Sequence, residues 1–155
     1  MTRVLLVLAT VVSLAWAVAI VAAPALLRRP SAVGRAVAVA PYVIGSRVCH
    51  QAAARSFTVA GAPLPVCARC TGIYAGVPFG IVAGLVSARV RPAGPGRAGR
   101  VLAWAALPTI LTVTIEHAGA APVPGWLRAA CGAVLAGVAA QVITSQLCAE
   151  DRAGR

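Results

Sequence analysis

Between Cys49 and Gly76 the chain reads CHQAAARSFTVAGAPLPVCARCTGIYAG, which gathers three cysteines and a histidine in one short polar stretch. Thiolates and imidazoles are the ligands of four-coordinate zinc, so Cys49, His50, Cys67 and Cys70 form a candidate Cys3His shell. Adjacent residues rarely ligate one ion comfortably, so Cys49 and His50 are also alternatives to each other. Cysteines alone would suit Cu(I). Cys67 and Cys70 form a C-x-x-C with Arg69 inside it; at a helix start, the helix N-terminus and the guanidinium both favour thiolate over thiol. The same pair could cycle between dithiol and disulfide with Cys49 resolving, or a disulfide could simply clamp the loop. In that last case Arg47, Arg55 and Arg69 are free to meet lipid phosphates. Tyr74 follows Cys70 by one helical turn, on the same face.

Carboxylate chemistry is nearly excluded. The chain has three acidic residues, and Glu150 and Asp151 sit in the tail, so Glu116 stands alone. Paired-carboxylate mechanisms, Mg2+ sites and Ser, His and Asp arrangements have nowhere to reside. Whether the protein is an enzyme does not follow from its composition.

The elements that must position these residues are membrane spans. Of 155 residues, 60% are hydrophobic and 11% charged, against about 25% charged in a soluble domain. The expected fold is an all-α polytopic membrane helix bundle forming a single integral-membrane domain over 1–155. Spans are expected at 4–27, 71–88, 101–117 and 127–147, with the Cys/His loop at 47–70. The segment 31–46, short and interrupted by Pro41, is a fifth span, a re-entrant segment or an interfacial helix. Residues 4–27 compete with a cleaved signal peptide but are too long for its apolar region. The Gly- and Pro-rich stretch Arg89 to Arg100 ends the second span, since Pro92 and Pro95 cannot continue it.

The net charge is +11, with every basic residue an arginine. The arginines flank apolar runs and no base-stacking motif accompanies them, so the expected partner is the lipid bilayer and not nucleic acid. With four spans either orientation places seven arginines inside. A fifth crossing breaks that tie and puts the Cys/His loop on the extracytoplasmic side of the cell membrane, the inner membrane of a bacterium.

Gly72, Gly76, Gly80 and Gly84 recur every four residues along the second span, and small residues at that period let helix backbones approach closely. The fourth span carries a similar row, Gly132, Ala136 and Ala140; a homo-oligomer or another membrane partner could also use the stripe. Pro78 is expected to kink this helix. The second and third spans form an antiparallel pair, which brings Glu116 and His117 to the face of the C-x-x-C. There they are candidates for a missing ligand or a supporting partner, or they only mark the end of a span. Cys131 and Cys148, in the fourth span, are expected to be structural.

The linked pattern Cys49-His50-Gln51, Arg55-Ser56-Phe57, Gly61, Pro65-Val66-Cys67-Ala68-Arg69-Cys70 and Gly72-Ile73-Tyr74 with Gly76 resembles a family of small bacterial predicted membrane proteins, domain of unknown function 2085. The resemblance implies a membrane location and a shared cysteine motif, and supplies no reaction. Where the family often has an acidic residue after the proline of the next span, this chain passes from Pro108 to Thr112; Glu116 then takes that part, or the site is partly changed.

Overall fold

The structure is a computed structural model that describes residues 2–88 and 95–154; Arg89, Arg91, Pro92 and Arg155 lie outside the described residues. Five helices are described: α1 Thr2–Leu27, α2 Ala32–Val48, α3 Ala68–Ser87, α4 Pro95–His117 and α5 Gly125–Ala153. Between α2 and α3 come a 3-10 turn, Ala53–Arg55, and a two-stranded hairpin, β1 Thr58–Val59 with β2 Ala62–Pro63. Helices α1, α3, α4 and α5 are long and apolar enough to cross a membrane. The architecture is an all-α polytopic bundle.

The two largest differences from the expected boundaries, each of six residues, lie in α4 and α5. Helix α4 is helical already at Pro95, the first residue described after position 88, and proline is tolerated in the first turn of a helix. Helix α5 runs on to Ala153, and Arg152 near its end donates to the carbonyl of Ala88 just past α3. An interhelix bond thus holds the polar tail helical.

The seam between α3 and α5 organises the bundle. A Cβ on Gly72 would collide with the carbonyl of Ala129, one on Gly76 with that of Ala133, and one on Gly80 with that of Gly137. Both rows ascend together in steps of four, so α3 and α5 run parallel with their backbones in contact. The carbonyls against the stripe come from Ala129, Ala133 and Gly137, and of the expected row Gly132 is pressed against the carbonyl of Arg69 and Ala140 against Gly80. The glycine stripe is therefore occupied by α5 of the same chain and is no free face for a second copy.

Helix α1 runs the other way. The Trp16 ring meets Tyr74 edge to face with centroids 5.9 Å apart, near the start of α3. The Thr2 hydroxyl donates to Asp151 at 3.2 Å, near the end of α5. The chain therefore leaves α1 and enters α3 at one face of the bundle, and the 28–67 connection, α2 included, makes no net crossing. Helix α2 has only 17 residues, or about 26 Å, against a hydrocarbon core of about 30 Å. It buries Ala38, Pro41 and Gly45 and exposes Val33, Val37, Ile44 and Val48. The fifth crossing that broke the arginine tie is absent, so the outward orientation loses its premise.

Candidate metal centre

The loop that carries the thiols is sewn to α2 from below. Helix α2 ends where Cys49 turns to extended backbone, its N–H still bonded to the Gly45 carbonyl at 2.8 Å. Gln51 follows with a positive φ of 49°, and its side-chain amide donates to the carbonyls of Tyr42 and Pro65, both at 2.7 Å. The Pro65 carbonyl reaches that amide only because residue 45 is glycine: a Cβ there would lie 2.5 Å from the carbonyl oxygen. The Tyr42 hydroxyl donates to the Pro63 carbonyl at 2.7 Å. Upstream, Ala60 and Gly61, at φ 49° and 72°, close the hairpin in the left-handed pair that tight antiparallel turns favour.

These ties deliver Cys67 to Cys49. The Cys67 N–H donates to the Cys49 sulfur at 3.2 Å, and Cys67 is the N-cap of α3, with Cys70 one turn into the helix. The sulfurs of Cys49, Cys67 and Cys70 all lie within 4.8 Å of one another. Tetrahedral zinc with Zn–S bonds of about 2.3 Å sets its sulfurs roughly 3.8 Å apart, a spacing within reach of small side-chain rotations. Beneath the sulfurs Ile20, Leu64 and Val66 form a buried core, with Trp16, Phe57 and Tyr74 packed against it. Cys49 and Cys70 thus pack on an apolar floor.

The Cys67 thiol is pulled down to about 5. The largest cause is the side-chain hydrogen bond from Cys70, opposed by burial and reinforced by the Cys70 backbone, the Cys49 side chain and the Arg69 backbone. Helix-start N–H groups and neighbouring thiols therefore stabilise the thiolate. The Arg69 guanidinium is turned elsewhere.

It reaches across to α4, donating to Glu116 at 3.0 Å and to the Thr112 hydroxyl at 3.3 Å. Glu116 is only 6% exposed and forms a second ion pair with Arg128, near the start of α5. Thr112 and Glu116, one helical turn apart, together hold the arginine of the C-x-x-C. Glu116 is committed to this triad and does not face the sulfurs.

The remaining expected residues lie around this core. His50 is exposed beside Cys49, and His117 is exposed at the end of α4; neither joins the sulfur group. Tyr74 packs against the shared core together with Cys49 and Cys70. Arg55 is exposed on the 3-10 turn. Cys131 is buried in α5 and Cys148 half-buried near its end, both away from the other thiols. Sequence reasoning missed Gln51 and Arg128. The spacing of Gln51 directly after Cys49-His50 was visible, but its two carbonyl partners exist only once the loop has folded back.

Comparison with known proteins gives two matches. The profile of the predicted membrane protein family DUF2085 matches residues 49–143, which begins at the first thiol and ends within α5. An uncharacterized protein of Methanocaldococcus jannaschii, MJ1492, is similar at 49% identity over 41 residues, 26% of each chain. The similarity thus spans about a quarter of that relative. No solved structure matches.

Proposed function

Since the chain belongs to the DUF2085 family of predicted membrane proteins, we propose that it is a multi-pass protein of the cell membrane that binds a thiophilic metal ion, zinc first among them, through Cys49, Cys67 and Cys70. The observation that carries this reading is the convergence of three sulfurs, two from the start of α3 and one from the end of α2, within 4.8 Å. The fourth position is left to water, to an exogenous ligand, or to His50 after a local rearrangement. A zinc ion held by three protein ligands acts as a Lewis acid and lowers the pKa of a bound water. The protein's own part is to hold Cys67 as a thiolate, to fix Cys49 through the Cys67 N–H, and to seal the lower face with Ile20, Leu64 and Val66.

A second reading rests on the depressed Cys67 thiol beside Cys70: a dithiol that exchanges with disulfides. Elemental analysis of gently purified protein separates the two. About one equivalent of metal, lost in Cys49→Ser, Cys67→Ser or Cys70→Ser, supports the metal centre. Metal-free protein with all thiols reduced, whose Cys67–Cys70 pair shifts in mass labelling with added oxidant, supports the exchange reading. Impermeant thiol labelling of Cys67 in intact cells decides between the two orientations, which four spans with seven arginines on each side leave equal; in a bacterium the membrane is the inner one.

A further inference from the structure

Beside the thiol site, on the other side of the ion triad, the 3-10 turn and the α4–α5 link line an open cleft of about 240 Å³ that the thiol chemistry does not use. It is lined by Arg55, Glu116, Gly119, Ala121, Pro122 and Arg128. That volume is several times the roughly 30 Å³ share of a water molecule, enough for a tetrahedral oxyanion.

The charges around this cleft do not balance. Arg55 and Arg128 line it with a single carboxylate, and Arg69 already shares that carboxylate. The Arg128 side chain is 14% exposed and that of Arg69 20%, so these two guanidiniums are poorly hydrated, while Arg55 stands exposed at the mouth of the cleft. Among the described residues Arg69 Nε, Arg128 Nε and Glu116 Oε1 are buried without a hydrogen bond, and the ion pair between the last two leaves Arg69 Nε as the donor with no acceptor. No other acid can be recruited. Glu150 and Asp151 lie at the far end of α5, more than 20 residues and roughly 30 Å from Arg128.

We propose that this cleft is a phosphate-binding site, in which Arg55 and Arg128 grip the phosphate group of an anionic lipid headgroup or of free phosphate. Guanidinium forks match phosphate oxygens in pairs, and a bound anion completes the charge balance that Glu116 leaves unfinished. The location fits, because the end of α4 and the start of α5 lie where spans meet the headgroup layer. No cysteine contributes to the cleft, so the site stands whether or not the thiols hold a metal.

The test uses the full-length protein in neutral detergent, titrated calorimetrically with inorganic phosphate and, separately, with short-chain phosphatidylglycerol. The expected result is saturable binding of about one equivalent of at least one probe. Arg55→Gln weakens it about tenfold or more without changing the melting temperature of the free protein. Arg128→Lys keeps a positive charge beside Glu116 while losing the fork, and weakens binding to a similar degree. Competition between the two probes assigns the site to the phosphate group from either source, and binding of phosphatidylglycerol alone assigns it to the lipid. The proposal is overturned if neither probe binds saturably, if both variants bind like the wild type, or if Arg28→Gln, remote at the hairpin tip, weakens binding as much as Arg55→Gln.

Discussion

The two ends of the bundle are built from the same residue types and come out differently. At one end Cys49, Cys67 and Cys70 converge from two elements, and Arg69, Glu116 and Arg128 converge from three. At the other end Cys148, Asp151 and Arg152 follow one another along the last turns of α5, beside Thr2 and Arg3, around an open cavity of about 300 Å³. Among the described residues that end holds no group of three metal-ligating side chains. Composition therefore does not make a site. Convergence does, and here it depends on a loop whose backbone is pinned by Gln51, Tyr42 and the close approach at Gly45.

The comparison breaks most sharply at the buried carboxylate. Glu116→Ala leaves two poorly hydrated guanidiniums without a counter-charge and should lower stability by about 3 kcal/mol or more. Glu150→Ala, on the exposed last turns of α5, should stay within about 0.5 kcal/mol. Detergent-titrated unfolding of the two variants measures the contrast. Next in size is the seam that holds both ends in register. Gly76→Leu forces the α3 and α5 backbones apart and should cost about 1–3 kcal/mol or prevent folding. Gly99→Ala, whose added methyl meets nothing within 4 Å, should be neutral or stabilising by about 0.5–1 kcal/mol.

A smaller change sharpens the contrast at the loop itself. Gln51→Ala strips the donor from two carbonyls and should cost about 1–2 kcal/mol, with faster proteolysis confined to the segment between α2 and α3. The mildest test is a pH profile of the metal-free protein. Because the Cys67 thiol is held near 5, below roughly 8.5 for an unfolded thiol, it is a thiolate in the folded state across neutral pH. Its contribution to stability is complete above the unfolded value and is lost as pH falls toward 5. Alkylation at Cys67 should accordingly stay nearly constant from about pH 8 to 6 and collapse near 5.

The spans were legible because long apolar runs leave few alternatives, and the glycine stripe because a four-residue period of small residues has one main use in lipid. The three thiols that converge were legible from their spacing, although His50 and His117, named with them as candidate ligands, do not join the group. The direction of Arg69 was not: its place between two thiols suggested that its charge acted on them, yet Glu116 and Thr112, more than 40 positions away, draw it to α4. Arg128 gave no local signal, since its role comes only from the antiparallel return of α4 and the parallel placement of α5. The path of α2 was undecided for a similar reason. Only the antiparallel contact of α1 with α3 shows that the segment makes no crossing.

The central claim is that three sulfurs share one metal ion, and X-ray absorption at the zinc edge on zinc-loaded protein tests it most directly. Three sulfur neighbours at about 2.3 Å with one lighter nitrogen or oxygen neighbour at about 2.0 Å, reduced to two sulfurs in Cys49→Ser, is the predicted result. A zinc shell without sulfur, or one unchanged when Cys49, Cys67 or Cys70 is replaced, contradicts the account.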